Sequence, residues 1–375
     1  MKKLSLILMA IYLFISCSNE KTFKISGTLT DFGNPDGTTM IYLKTKAVTG
    51  DVINIDSTLI AKDGTFALKG KSTETDLYFL ADKDNVFGIA IFVDPADNIV
   101  VTGSAKDYQN IKIEGSKTHK LYDEFLATIA PMQEEQSLIY YSYTNYMQDP
   151  SISEEELEKI GEELNASYEK LNDDIDLATA DFIKANSNTP VAAFLVYKNA
   201  STLNTSAEIE EQLQWLDPEM KNKFITLTQD IMERVKQTEV GSVLPNIDLP
   251  NAGGEQISLE SLRGKYVLVD FWATWCGPCM MELPNLQKTY QKYHEKGFEV
   301  YSVSLDHSKD EWLEGIVTNG IEWICVKDLE GSPTAKQLAI KYIPTTFLLN
   351  PDGVIVAFNL RGEELESKLA ELMPK

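Results

Sequence analysis

The chain has 375 residues, 43% of them hydrophobic and 10% aromatic, which is enough for two or three domains with real cores and too apolar for a disordered protein. Its 57 acids against 34 bases give a formal charge of −23, and no run of Lys or Arg supplies the basic footprint of nucleic-acid binding or of adhesion to an anionic membrane. Four Cys and three His exclude a disulfide-built scaffold and leave little for a metal site.

The first residues read as an address. Lys2 and Lys3 precede a twelve-residue, almost wholly apolar run, Leu4 to Ile15. That is too short for a bilayer, which needs about 20 residues, but right for the core of a secretory signal. The run closes on Phe14-Ile15-Ser16-Cys17, which resembles a bacterial lipobox, with Phe14 where Leu is usual. The resemblance implies removal of residues 1–16 as a signal peptide and acylation of Cys17. Loss of the two lysines takes the charge from −23 to −25, so lipid and not a basic patch is the expected membrane tether. The plainer alternative is an ordinary signal peptide with a stray Cys. The remainder is expected to lie outside the cytoplasm as soluble protein.

Three regimes follow. Residues 17–117 read as a β-sandwich. Phe23–Gly27, Met40–Leu43 and Asp76–Leu80 are short strands, and Gly88–Val93 and Ile99–Thr102 flank Asp94-Pro95-Ala96-Asp97. Asp63-Gly64 reads as a hairpin turn. Residues 118–240 read as four or five helices. Leu157, Ile160, Leu164, Tyr168, Leu171, Ile175, Ala178 and Phe182 form one stripe at steps of three and four. The opposite face is acidic, with eleven acids and two Lys over 151–181, and is expected to be solvated. Thr189-Pro190 and Asp217-Pro218 each predict a helix start, and Met220, Phe224, Leu227 and Ile231 a second stripe. Residues 241–375 alternate strand and helix. Strands are expected at 266–271, 300–305, 323–326, 346–349 and 354–358. Helices are expected at 280–296, 312–318, 334–342 and 363–372. This is an α/β unit with its sheet covered on both faces.

The chemistry sits at the end of the first of those strands, in Phe271-Trp272-Ala273-Thr274-Trp275-Cys276-Gly277-Pro278-Cys279. Two Cys separated by two residues at a helix start can close a small disulfide ring. The helix dipole and free amides there favour the thiolate of the first. A strand before and a helix after are the context a redox reading requires. Half a zinc site would need two further ligands, and an inert structural disulfide is the other alternative. Cys325, in Trp323-Ile324-Cys325-Val326, reads as a buried apolar thiol, with a third redox Cys as the sharper possibility.

Trp-Cys-Gly-Pro-Cys is the thioredoxin motif as it stands, and the domain resembles that family. The resemblance implies a thioredoxin fold. It assigns Asp270 to the buried carboxylate that manages the proton of Cys279. It also assigns Ile343-Pro344-Thr345 to a cis-proline loop that receives substrate beside Trp275, Gly277 and Pro278. Within the superfamily, residues 241–375 look like the TlpA/ResA branch of extracytoplasmic thiol–disulfide oxidoreductases. Leu244-Pro245-Asn246 with Leu259–Lys265 resembles that branch's N-terminal strand pair. Glu282 and Pro284 stand where the branch has them, the longer 305–342 segment resembles its inserted helix and strand, and Pro344–Gly353 is near its consensus. The preceding β stretch resembles a domain of unassigned function found before thioredoxin-like domains in bacterial lipoproteins. Asp270 departs from the Asn common in the branch. With Glu282 near the same apolar site, two carboxyls cannot both ionise cheaply, so one is expected to titrate high and to serve as acid/base.

The expected mechanism is attack of the Cys276 thiolate on a protein disulfide and release of the reduced product by Cys279, with no cofactor. Gly-Pro between the cysteines and Ile343 before Pro344 are thioredoxin-like and favour a reductase. Such an enzyme outside the cytoplasm implies a membrane thiol donor of electrons, with apocytochrome c or wrongly oxidised secreted proteins as clients. A peroxiredoxin-type thiol peroxidase is one rival, but Val269 stands seven residues before Cys276, where that setting has Pro. The other is a ligand-binding lipoprotein with an accessory redox domain.

Overall fold

A computed structural model describes residues 20–33, 39–83, 88–107, 110–149 and 151–373. The signal segment and Cys17 lie outside the described residues. The chain forms two compact units, 1–192 and 193–375.

The first unit opens with eight strands, β1 (Lys21–Thr30), β2 (Met40–Lys46), β3 (Val52–Leu59), β4 (Thr65–Ser72), β5 (Asp76–Ala81), β6 (Gly88–Val93), β7 (Asn98–Ser104) and β8 (Lys112–Glu114). They make two four-stranded sheets, β4-β1-β7-β8 and β3-β2-β5-β6. One core joins Phe23, Ile25, Phe66, Leu68 and Val101 of the first sheet to Ile41, Leu43, Leu80 and Ile91 of the second. This is a β-sandwich. In β2 and β4 buried residues alternate with more exposed ones, the period of a half-buried strand.

Asp63-Gly64 makes a turn but not a hairpin. Gly64 N–H donates to Ala61 O at 2.8 Å, yet β3 and β4 belong to opposite sheets. Ile60 is buried just before the turn, and the chain crosses the core there. Local turn chemistry fixes a reversal; it does not say which partner each flanking strand takes.

Two long helices follow, α1 (Lys117–Gln148) and α2 (Glu154–Ala185). Ser153 caps α2 in a reciprocal box with Glu156, satisfying two orphan amides. At the other end, buried His119 of α1 accepts from Phe92 N–H of β6 at 3.3 Å, tying α1 to the sandwich. Burial pushes the His119 imidazole down, against the pull of Asp123.

The unit boundary falls within α3 (Pro190–Ala200), which starts at Thr189-Pro190. Helices α4 (Ser206–Leu213) and α5 (Lys223–Lys236) follow. Asp217-Pro218 opens a turn and not a helix; α5 starts five residues later, where the Asn222 side chain accepts from Phe224 N–H at 2.8 Å. Asn222 supplies the capping oxygen that the first turn needs.

The last part holds β9 (Asp248–Pro250), β10 (Gln256–Ser258), β11 (Tyr266–Trp272), α6 (Gly277–Tyr293), β12 (Phe298–Ser304), α7 (Lys309–Thr318), β13 (Ile324–Lys327), α8 (Pro333–Gln337), β14 (Thr345–Leu349), β15 (Ile355–Phe358) and α9 (Gly362–Leu372). The sheet order is β13-β12-β11-β14-β15. β11 pairs parallel with β12 and antiparallel with β14. The small strand pair does not fall on Leu244–Asn246 and Leu259–Lys265 as expected; it forms between them, Asp248–Pro250 with Gln256–Ser258. Leu259–Leu262 is a 3-10 turn. The helix expected over 334–342 stops at Gln337, because Ala339 takes a left-handed φ of +51° that a helix cannot continue through.

Strand parity places the chemistry. Val267, Val269 and Phe271 pack into one face of the sheet, with Val303 and Phe347. Leu268 packs into the other, with Leu283, Leu286, Leu365 and Leu369 of α6 and α9. Successive strand residues point to opposite faces, so Asp270 shares the α6 side with Leu268.

Candidate active site

Cys276 and Cys279 form a disulfide at the start of α6, S–S 2.02 Å and Cα–Cα 5.2 Å. Cys276 is the N-cap residue, and its sulfur accepts from Cys279 N–H at 3.2 Å. The first amides of a helix have no partner within it, so this sulfur occupies the position where negative charge is best tolerated. Gly277 and Pro278 are exposed and Cys279 is buried. The Gly277-Pro278 edge of the ring is therefore open, while Cys276 and Cys279 are both buried. A buried Asp306 anchors the turn that leads in, accepting from Thr274 N–H at 2.9 Å and from Thr274 Oγ1 at 2.6 Å.

Ile343–Pro344 is a cis peptide, and Ile343 packs against the cluster that contains both cysteines. Thr345 is buried and its hydroxyl donates to Tyr342 O at 2.6 Å, so that side chain closes the loop on itself. Trp275 is 56% exposed and stacks on His307, centroids 6.0 Å apart at 11°. Trp272, by contrast, is buried.

Behind the disulfide lies a chamber of about 20 Å³ lined by Asp270, Cys279, Glu282, Pro344 and Arg361 among apolar neighbours. Asp270 accepts from Ser302 Oγ at 3.0 Å, and Ser302 in turn accepts from Trp323 Nε1 at 2.8 Å. Burial pushes the Asp270 carboxyl up to about 6, Ser302 and Arg361 draw it down, and Glu282 adds to the rise. Glu282 is half-buried and already engaged. Its Oε1 accepts from Gly362 N–H at 2.7 Å and its Oε2 from Asn285 Nδ2 at 3.3 Å. Of the two acids the sequence offers, Asp270 is the buried one, held among the described residues by Ser302 alone, while Glu282 is bound to Gly362 and Asn285.

Cys325 is a buried free thiol. Burial pushes it up to about 12, and Trp312 Nε1 donates to its sulfur at 3.2 Å. It is inert as a nucleophile near neutral pH. Sequence reasoning missed Arg361, Asp306, Ser302 and His307. None belongs to a local motif; each reaches the site from another element, and only the fold brings them there.

An AhpC/TSA family model matches residues 240–358, and a domain of unknown function, DUF4369, matches residues 23–122. The thiol-disulfide oxidoreductase ResA of Bacillus subtilis is 34% identical over 137 residues, 36% of this chain and 73% of that protein. The chain belongs to the ResA family of thiol-disulfide oxidoreductases. ResA of Bacillus cereus is 29% identical over 150 residues, 40% of this chain and 86% of that protein. Among solved structures, a thiol-disulfide oxidoreductase from Bacteroides fragilis is 37% identical, covering 36% of this chain and 99% of that one with a TM-score of 0.33. The thioredoxin domain of a thiol-disulfide oxidoreductase from Bacteroides vulgatus is 35% identical, covering 36% and 98% with a TM-score of 0.35. On its ResA relatives and family models, the protein is a thiol-disulfide oxidoreductase with a C-terminal thioredoxin-like domain and an N-terminal β domain.

Proposed function

We propose that the protein is a lipid-anchored, extracytoplasmic reductase of protein disulfides that works through Cys276 and Cys279. The observation that carries this reading is the disulfide at the α6 start, open on the Gly277-Pro278 side and backed by a buried acid. In the reduced enzyme the Cys276 thiolate attacks a client disulfide, forming a mixed disulfide and releasing one client thiolate. Asp270, ionised near neutral pH, takes the proton of Cys279. The Cys279 thiolate then attacks the Cys276 sulfur, restores the enzyme disulfide and releases the second client thiolate. The client gains two electrons and the enzyme loses two. Trp275 is exposed beside the disulfide and, with the cis-proline loop of Ile343–Thr345, is the surface assigned to client backbone.

The N-terminal lipobox-like run supports anchoring through Cys17 at the outer face of a membrane. A reductase there needs a thiol donor within that membrane. Apocytochrome c and wrongly oxidised secreted proteins fit as clients. The AhpC/TSA match raises a peroxidase reading, and hydrogen peroxide consumption by the reduced protein tests it directly.

The deciding measurement is the reduction potential of the pair, by thiol trapping in graded redox buffers. A value at or below about −230 mV agrees with a reductase; a value near about −120 mV, that of a strong oxidant, recasts the protein as a disulfide donor.

A further inference from the structure

Residues 361 and 362 touch both walls of the disulfide site. Gly362 N–H donates to Glu282 Oε1 at 2.7 Å, and Glu282 lies one turn beyond Cys279 on α6. From the adjacent residue, Arg361 Nη2 donates to Pro344 O at 2.6 Å. Arg361 stands at the N-cap of α9, yet its side chain caps nothing. It lines the chamber behind the disulfide instead, and is the one cation among the lining residues, against two carboxyls. Its Nε is buried and makes no hydrogen bond among the described residues. The guanidinium therefore acts on Asp270 through space. In a chamber this small and enclosed by protein such a charge is less screened than at the surface.

We propose that Arg361 is a positioning residue of the redox reaction, holding the cis-Pro344 carbonyl with one nitrogen while its charge faces the Asp270 carboxyl across the chamber behind Cys279. The proposal rests on the reading of Cys276 and Cys279 as the redox centre. The groups facing Asp270 are Glu282 on α6, Ser302 on β12, Cys325 on β13 and Arg361 before α9. Burial and Glu282 disfavour the carboxylate, and Arg361 is the charge that opposes them. Without it, Ser302 alone opposes burial and Glu282, and the Asp270 carboxyl is a poorer acceptor for the Cys279 proton.

The test follows Asp270 itself in the oxidised full chain, by its carboxyl ¹³C shift against pH, assigned through its absence in Asp270→Asn. Arg361→Gln keeps a donor for Pro344 O and removes the charge. Its Asp270 midpoint should rise, the direction for loss of an opposite charge facing a carboxyl. KM for a synthetic peptide with one disulfide should stay within about twofold of wild type. Arg361→Lys should hold the midpoint. Arg361→Met should raise it as Arg361→Gln does; if that variant does not fold, the Gln and Lys variants decide. An unmoved midpoint in Arg361→Gln, with or without a higher KM, leaves Arg361 a strut and overturns the proposal. The titration needs no turnover, so a wild-type protein that reduces no disulfide would sink the reductase reading and leave this result standing.

Discussion

At the residue scale, the site depends on one carboxyl held in the wrong solvent. Burial is the largest influence on Asp270 and pushes it to about 6, from the ordinary aspartate value near 4. The folded protein therefore keeps a proton between about pH 4 and 6 that the unfolded chain has released. Its contribution to stability is present below about pH 4 and is lost as pH rises through about 6. Asp270→Asn removes that loss. The variant should be more stable than wild type above pH 6, by on the order of 3 kcal/mol, with a flatter profile between pH 4 and 6. Urea unfolding at pH 5 and pH 8 checks it, and equal stabilities at pH 8 would contradict the assignment. The same variant should reduce client disulfides more slowly at pH 7, by about 10²-fold for loss of a proton acceptor. Cys325 offers the contrast. Its thiol is buried and pushed high, so Cys325→Ala should cost about 1 kcal/mol of stability and leave the reduction potential where it was. A changed potential would restore the third-cysteine reading.

At the element scale, helix α6 is set by what precedes it. β11 delivers the chain, Asp306 ties down Thr274, and Cys276 caps the helix with its sulfur. Asp306 is buried and also accepts from Ser304 Oγ at 2.7 Å. Asp306→Ala leaves three donors without that partner and should destabilise the domain by about 2–4 kcal/mol. Asp306→Asn keeps acceptor oxygen and should cost less. Thermal unfolding of the two variants ranks them, and equal losses would mean that the hydrogen bonds to Thr274 are not what holds the turn. The short α8 shows the same dependence on neighbours. Apolar spacing runs on past Gln337, but Ala339 turns left-handed and sends the chain towards the cis-proline loop.

At the scale of the whole molecule, each compact unit carries its own core. The sandwich core of the first unit shares no residue with the two layers that cover the thioredoxin-like sheet. Two transitions are therefore expected in calorimetry. The disulfide lies in the second unit, so a reductant should move that transition alone. A single transition, or a shift of both on reduction, would contradict independent units.

The sequence by itself determined the order of the three regimes, the redox pair, the cis-proline loop and the strand that carries Asp270. The regimes, the strand and the redox pair rest on short-range signals, residue period, turn residues and a nine-residue motif, and the cis-proline loop on the resemblance to the thioredoxin family. It named two acids and could not choose between them, because the choice depends on burial and partners. Tertiary structure made it, by placing Asp270 on the α6 side of the sheet and engaging Glu282 with Gly362. Tertiary structure also sent β3 and β4 to opposite sheets across a turn that looks local. It brought Arg361 to the chamber from 85 residues beyond Cys276 in sequence. The physical reason is common to these cases. Hydrogen bonds within a few residues are written in local chemistry, whereas pairing, burial and charge at a distance exist only once the chain has closed on itself.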